Sequence, residues 1–201
     1  MTYLRDPQAI YRASFAAIRR EVDLSRFPDS LHPLVLRLVH ASAQPAITAD
    51  LAWHGGVAGA ARAALDSGKP IFVDAMMVAS GIGCETRCLL NDARAFEVAK
   101  QQQTTRSAAA VDLWCDDLAG AVVAIGNAPT ALFRLIELIQ AGAPRPAAIF
   151  AFPVGFVGAA ESKDALIAAD LGVPFMTLKG RFGGSALAAA AVNAVAQGNA
   201  E

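Results

Sequence analysis

The sequence predicts an α/β fold: a three-layer α/β/α domain built on a doubly wound, five-stranded parallel sheet, with extra N-terminal helices. Two observations lead to this prediction. From residue 70 onward, short and almost wholly apolar runs alternate with helical segments, which is the pattern of parallel strands covered on both faces. The 201 residues are 55% hydrophobic, and no Pro/Ser-rich linker or internal repeat divides them. We therefore expect residues 1–201 to form one domain.

Three helices are predicted before the alternating region. An Asp-Pro pair at residues 6–7 supplies a cap and a first-turn proline, so the first helix should run from Pro7 to about Val22. A second apolar helical face follows the break at residues 26–29 and ends around His40. The third helix should span Gly56 to Ser67, because the glycine that follows can terminate it.

Five short apolar runs are the predicted strands: Pro70 to Asp74, Arg87 to Leu90, Ala121 to Ile125, Ala147 to Phe152, and Pro174 to Leu178. The helical segments among and after them are Asp92 to Gln101, Thr104 to Asp117, Pro129 to Gln140, Glu161 to Ala169, and Gly184 to Ala196. Strands connected through helices in this way form a parallel sheet with helices on both faces.

Composition excludes several classes of partner. The net charge is −1 and no block of Lys or Arg occurs, so nucleic acid and membrane surfaces are poor partners. The longest apolar stretch, residues 147–160, is interrupted by proline and glycine and is shorter than the roughly 20 residues that span a bilayer. With polar residues where a signal peptide would be apolar, we expect a cytoplasmic protein.

Cysteine and charge counts add two expectations. An odd number of cysteines, three, indicates reduced thiols, and two of them four residues apart without a nearby histidine do not predict a metal site. Only 17% of the residues are charged, which is low for a lone soluble domain. We therefore expect an apolar face that meets another subunit.

Glycine-rich segments follow the last three predicted strands, at the sheet edge where ligands bind in such folds. Asn127 and Thr130 flank a proline that can open a helix, and Gly155 lies in the segment 153–163. The third segment runs from Lys179 to Ser185 and contains Arg181 and the pair Gly183-Gly184. Free N–H groups at a helix start beside an arginine predict a site for a carboxylate or phosphate. Alternatively, these glycines only permit tight turns, but three such loops at one edge favour a site.

The sequence has three histidines, the side chains that can donate and accept protons near neutral pH without a large pKa shift. Of these, His40 precedes small residues that leave room for a ligand. In general, a histidine at such a helix end is more often a packing or capping residue. Nucleotide binding by a flavodoxin-like protein is disfavoured, because no G-x-G-x-x-G or P-loop pattern is present. A G-x-S-x-G nucleophile motif is also absent from the sequence.

Several motifs together carry a resemblance to a known family. They are, in order, Tyr11 to Phe15 (YRASF), Val39 to Ser42 (VHAS), Thr105 to Ala109 (TRSAA), Ala124 to Phe133 (AIGNAPTALF), the segment Pro153 to Lys163, and Gly183 to Ala186 (GGSA). On these motifs the chain resembles the precorrin-8X methylmutase family of cobalamin biosynthesis over nearly its whole length.

The resemblance implies a homodimer of flavodoxin-like subunits with active sites at or near the interface. It implies isomerisation of precorrin-8X, a tetrapyrrole-derived polycarboxylate, to hydrogenobyrinic acid. A methyl group migrates from C-11 to C-12, formally by a 1,5-sigmatropic shift, without a metal or an added cofactor. By this resemblance His40 is the catalytic proton donor, and Ser14 and Arg106 contact the substrate. The remaining expected substrate-binding residues are Asn127, Thr130, Gly155, Lys163, Arg181, Gly183, Gly184 and Ser185.

One departure from the family pattern keeps an alternative open. Ser80-Gly81-Ile82-Gly83 runs directly into Cys84, so a loop that helps to enclose the substrate in the family is several residues shorter here. A corrinoid-binding or carrier protein with reduced or lost methylmutase activity is the alternative. The presence of His40 and Ser14 favours the enzyme.

Overall fold

The computed structural model describes residues 3–196, apart from the side chains of Cys115 and Asp116. The helices of this part of the chain are α1 (Pro7–Glu21), α2 (His32–Ser42), α3 (Val57–Asp66), α4 (Met76–Gly81), α5 (Ala93–Gln102), α6 (Arg106–Asp112), α7 (Pro129–Gln140), α8 (Ala159–Ala168) and α9 (Ser185–Ala196). The strands are β1 (Leu51–His54), β2 (Ile71–Val73), β3 (Val122–Ile125), β4 (Ala148–Ala151) and β5 (Phe175–Leu178).

The predicted three-layer α/β/α architecture is confirmed. The strands form one five-stranded sheet in the order β1-β5-β4-β3-β2, in which β2 to β5 are parallel. One hydrophobic core lies between the sheet and α2, α3 and α9, and a second lies between the other face and α6, α7 and α8. Because β2 to β5 follow one another in chain order, helices before β2 and after β5 complete the first of these layers.

The sheet is mixed rather than wholly parallel, because it contains an antiparallel edge strand, β1, that the sequence analysis did not predict. β1 pairs antiparallel with β5, with Leu51 opposite Leu178. As an edge strand it buries Leu51 but leaves Ala52 and Trp53 half-buried and His54 exposed. Its residues therefore do not form the continuous apolar run that marks a strand buried on both faces.

The predicted strand from Arg87 to Leu90 is wrong. Only a single bridge to Phe72 forms there, in which the Arg87 N–H donates to the carbonyl of Ile71 (2.7 Å) and its carbonyl accepts from the Val73 N–H (3.1 Å). Cys88 to Leu90 are only half-buried, so this short run covers the flank of β2 instead of entering the sheet. Apolar composition alone does not distinguish the two outcomes.

Helix boundaries follow local capping. The Asp6 carboxylate accepts from the N–H groups of Gln8 and Ala9 and starts α1 at Pro7, as predicted. The predicted helix from Thr104 to Asp117 is shorter: Thr105 caps α6, which ends at Asp112. The chain then turns so that Trp114, 1% exposed, stacks on Phe72 with ring centroids 5.3 Å apart.

The carboxyl ends of the parallel strands meet at one edge of the sheet, called here the carboxyl edge, where Asp74, Gly126, Phe152 and Lys179 follow β2, β3, β4 and β5. The start of β1 lies at the same edge, since the Lys179 N–H donates to the Asp50 carbonyl at 2.9 Å. Among residues 3–196, no helix is long and apolar enough to cross a membrane.

Candidate active site

Three loops converge at the carboxyl edge. The β3–α7 loop lies against the start of α9, because a Cβ added to Gly126 would come within 2.8 Å of the Ser185 Cα. The β5–α9 loop lies against the end of β4, where the Gly184 N–H donates to the Phe152 carbonyl at 2.7 Å. The β4–α8 loop is joined to the same segment, since the Gly155 N–H donates to the Arg181 carbonyl at 3.2 Å.

Close approach of main chains explains the glycine at position 183. A Cβ there would lie within 2.6 Å of the Pro153 carbonyl oxygen and closer still to that of Phe152. Only glycine lets the two loops pack at this distance. The predicted site residues Gly155, Gly183, Gly184 and Ser185 therefore lie together, beside the loop that carries Asn127.

Asp74 is a member of this edge that the sequence analysis did not assign. Its carboxylate, 1% exposed, accepts from the N–H groups of Gly126 (2.9 Å), Asn127 (2.9 Å) and Ala128 (2.7 Å). Burial raises its pKa, and the hydrogen bonds from these N–H groups oppose that rise. The signal in the sequence is a single aspartate directly after a buried apolar strand at the ligand-binding edge.

Thr130 and Arg106 are brought together by neighbouring helix starts. The Thr130 hydroxyl is hydrogen bonded to that of Thr105, with 2.7 Å between the oxygens. Arg106 is the next residue, and its exposed guanidinium lies 4.8 Å from the ring centroid of Phe96. The starts of α6 and α7 therefore lie side by side, with the exposed Arg106 guanidinium next to them.

The two basic residues of the other loops have different surroundings. Arg181 is exposed, with its guanidinium 5.4 Å from the Phe156 ring centroid. Lys163 is fully buried, and its Nζ donates to the Phe182 carbonyl at 2.7 Å. Burial lowers the pKa of Lys163 to about 8. Lys163 thus supports the β5–α9 loop from below, while Arg181 and Arg106 are directed to the surface.

His40 belongs to a second group, on α1 and α2. Its exposed ring stacks on Phe15, with centroids 5.0 Å apart, and lies 6.3 Å from the ring of Tyr11. Desolvation and the nearby Arg37 charge lower the pKa of His40. Ser14 is half-buried one turn beyond Tyr11, so it lies on the same side of α1.

The chain carries the His40 group toward the carboxyl edge. α2 ends at Ser42, where Ala43 takes a left-handed conformation with φ 53°, and a 3₁₀ turn over Pro45–Ala49 leads to Asp50 at that edge. Among the hydrogen bonds and ring contacts of residues 3–196, none joins His40 or Ser14 to the glycine loops. Within the described part of the chain, the predicted site residues thus form two groups, one on α1 and α2 and one at the carboxyl edge.

Apolar side chains surround the three loops. Six of them are 40–88% exposed at the carboxyl edge: Met76, Met77, Val154, Phe156, Val157 and Phe182. The side-chain amide of Asn127 lies among them, 3.8 Å from the Met77 sulfur, and its buried Oδ1 has no hydrogen-bond partner within the described part of the chain. Exposed apolar side chains beside exposed guanidinium groups suit a broad ligand that carries carboxylates.

No three His, Cys, Asp or Glu side chains come together among residues 3–196 in a way that would hold a metal ion. Cys84 and Cys88 are free thiols, and the side chain of Cys115 lies outside the described part.

Comparison with known proteins gives consistent matches over nearly the whole chain. The family model described as precorrin-8X methylmutase matches residues 9–198. A precorrin-8X methylmutase from Sinorhizobium sp. is 52% identical, covering 97% of this chain and 96% of the relative. A cobalt-precorrin-8 methylmutase from Priestia megaterium is 39% identical, covering 94% and 87%. The crystal structure of the precorrin-8X methylmutase from Thermus thermophilus superposes with a TM-score of 0.84 at 38% identity and 94% coverage of both chains.

Proposed function

The chain belongs to the precorrin-8X methylmutase family, and from this premise we propose that it is the isomerase of cobalamin biosynthesis that converts precorrin-8X to hydrogenobyrinic acid. The methyl group leaves C-11 and forms a bond to C-12 of the same macrocycle. The observation that carries the assignment of roles is His40, an exposed histidine held against Phe15 at the end of α2 with a lowered pKa.

Binding of the substrate rests on dispersed contacts rather than on net charge. The carboxylates of the macrocycle bind to the exposed guanidinium groups of Arg106 and Arg181 and to the free N–H groups at the start of α9. Within residues 3–196 neither guanidinium is ion-paired to a carboxylate, so both are available to the substrate. The exposed methionine and phenylalanine side chains contact the apolar faces of the ring.

His40 supplies the proton that the rearrangement needs. A lowered pKa reduces the fraction of His40 that is protonated near neutral pH but makes the imidazolium a stronger acid, so the protonated enzyme gives its proton readily to the macrocycle near ring C. When the methyl group has moved, the macrocycle loses a proton and the imidazole takes one up, so the enzyme returns to its starting state. Stacking on Phe15 fixes the plane of the imidazole ring. The site also lowers the barrier to migration by holding the macrocycle in the geometry from which the methyl group moves.

The metal-free substrate is the one we propose. The precorrin-8X methylmutase from Sinorhizobium is 52% identical to this chain, whereas the cobalt-precorrin-8 methylmutase from Priestia is 39% identical. An assay with both substrates decides between them.

We also propose a homodimer with active sites at or near its interface, and a cytoplasmic location. The dimer is supported by the separation of the His40 group from the glycine loops and by the exposed apolar side chains of the carboxyl edge. Contact between two subunits would cover these side chains and close the open side of each site. Cell fractionation tests the location.

The His40 role predicts a large and specific loss of activity. Purified protein given precorrin-8X should develop the absorbance of hydrogenobyrinic acid, and His40→Ala should lower kcat by about 100-fold or more, because it removes the only proposed proton donor. His40→Gln, which keeps a polar side chain but does not titrate, should be as inactive. His54→Gln is the matched control, because the exposed His54 pairs with Phe175 at the amino end of β5, away from the carboxyl edge.

Two outcomes would overturn these assignments. Undiminished turnover by His40→Ala would remove His40 from the chemistry. Tight binding of hydrogenobyrinic acid by a wild-type protein that converts neither precorrin-8X nor cobalt-precorrin-8 would instead identify a corrinoid carrier.

A further inference from the structure

Asp74 provides a cap for a helix that lacks its own. Ala128 stands at the N-cap of α7 and has no side chain that can accept a hydrogen bond, and Pro129 at the next position has no N–H. The Asp74 carboxylate, from the end of β2, accepts from the Ala128 N–H at 2.7 Å and from the two preceding N–H groups at 2.9 Å. Negative charge at this helix start is also favoured by the helix dipole.

The segment 126–128 is held from its other side by α9. A Cβ at Gly126 would lie within 2.9 Å of the Val78 side chain and 3.0 Å of the Ala188 Cβ, so the loop is packed between Asp74 and the first turn of α9. Both oxygens of Asp74 are used, and the side chain is 1% exposed. The conformation of the three residues is therefore determined by two rigid neighbours.

Asn127 is the residue whose side chain this arrangement directs. Its N–H is bound to Asp74 at 2.9 Å, while its side chain leaves the loop toward the exposed Met77. Its Oδ1 is buried and lacks a hydrogen-bond partner among the described residues, which is unfavourable unless a ligand supplies a donor. The amide is thus oriented for a group that is not part of this chain.

We propose that Asp74 is a positioning residue for the isomerisation: by holding the main chain of Gly126 to Ala128, it fixes the Asn127 amide against the bound macrocycle. This inference rests on the proposed function, because the macrocycle is the ligand that the amide meets. Asp74 itself, buried beneath the loop, does not touch the substrate. Its contribution is transmitted through Asn127.

Steady-state kinetics with Asp74→Asn, Asn127→Ala and the double variant test the proposal. An asparagine at position 74 keeps one acceptor oxygen but presents an NH₂ group to the remaining N–H donors. We expect the KM for precorrin-8X to rise about tenfold, which is 1.4 kcal/mol of lost binding, with a smaller change in kcat. Asn127→Ala should raise the KM to a similar extent. In the double variant the two effects should not add, because Asp74 acts through Asn127.

Asp112→Asn is the matched control. Asp112 is a partly buried aspartate at the far end of α6 that accepts from Arg134 Nε of α7 at 2.6 Å, so the same substitution there removes a charge without removing an acceptor from the N–H groups of the β3–α7 loop. Its KM should equal that of the wild type. Fully additive effects in the double variant, or an unchanged KM in Asn127→Ala, would overturn the proposal, and the second result does not depend on whether Asp74→Asn folds.

Hydrogen exchange of the Gly126, Asn127 and Ala128 amides supplies a readout that needs no substrate. In the wild type these amides should be protected, and Asp74→Asn should increase their exchange at least tenfold relative to amides of β4, on the same scale of about 1.4 kcal/mol. Equal protection in both proteins would show that Asp74 does not hold the loop. A wild-type protein with no turnover but with this exchange pattern would contradict the proposed function and leave the anchoring by Asp74 intact.

Discussion

At the scale of single residues, Lys163 shows how burial changes the role of a charged side chain. The sequence places it in a polar stretch at the start of a helix, where a lysine is expected to meet an anionic substrate. In the fold its ammonium is fully buried and bound to the Phe182 carbonyl at 2.7 Å, on the inner side of α8. Desolvation then lowers its pKa to about 8, against 10.5 for a free lysine.

The lowered pKa of Lys163 predicts a pH dependence of stability. Between about pH 8 and pH 10.5 the unfolded chain holds a proton on this lysine that the folded chain has lost, so the free energy of unfolding rises with pH. From pH 7.5 to 9.5 we expect the wild type to gain about 1–2 kcal/mol relative to Lys163→Met. Urea unfolding at the two pH values measures the difference.

A second lysine variant controls for the substitution itself. Lys100 is exposed on α5, so Lys100→Met changes the same side chain without a buried contact. The same change of stability with pH in the wild type and in Lys163→Met would contradict the interpretation.

At the scale of elements, the connections after β3, β4 and β5 matter as much as the strands. They lie against one another through main-chain contacts, and their glycines permit those contacts. Gly183 is the clearest case, because any Cβ there would meet the carbonyl groups that end β4. The turn interpretation and the ligand-site interpretation of these glycines therefore describe one arrangement: tight packing of loops places helix starts and an arginine at the same edge.

Two glycine variants separate close approach from ordinary helix preference. Gly183→Ala forces the β4–α8 and β5–α9 loops apart, and we expect it to destabilise the fold by about 1–3 kcal/mol and to raise the KM. Gly59→Ala lies in α3, where nothing approaches within 4 Å of the added Cβ. It should stabilise the protein by about 0.5–1 kcal/mol. Denaturant unfolding measures both changes, and a Gly183→Ala protein as stable as the wild type would rule out the packing argument.

At the scale of the whole molecule, the low content of charged residues is accompanied by an exposed apolar surface at the carboxyl edge. Most of the large exposed apolar side chains of the described residues lie at the carboxyl edge, where Phe156 (83% exposed) and Val157 (88% exposed) are the most exposed. Both lie in the loop between β4 and α8, beside Arg181. The proposed dimer contact and a bound substrate would cover these side chains.

The proposed dimer is tested by placing a charge on this loop. The wild type should have twice the chain mass by sedimentation equilibrium, and Val157→Asp should shift it toward the monomer, because a charge buried in an apolar interface is unfavourable. Ala168→Asp places the same charge at the exposed far end of α8 and should leave the mass unchanged. A monomeric wild type would contradict the proposal of a homodimer.

The architecture and the family could be predicted from the sequence alone, and the site is proposed to lie at the sheet edge that the sequence indicates. Strands buried on both faces are apolar throughout, and helix starts such as Asp6-Pro7 are encoded locally, so both are visible in the sequence. One domain over residues 1–201 stays a prediction. His40 was predicted as the catalytic residue from its motif, since a histidine at a helix end is in general more often a packing or capping residue.

The remaining features could not be predicted from the sequence, because they depend on partners that are distant along the chain. The edge strand β1 is defined by its pairing with β5, and the run 87–90 fails to become a strand because only one of its residues is bonded to β2. Lys163 is buried by the loop it supports, 19 residues away, and Asp74 receives its donors from a segment 52–54 residues further along the chain. Burial and hydrogen bonding of this kind arise from long-range packing, which no local pattern of residues encodes.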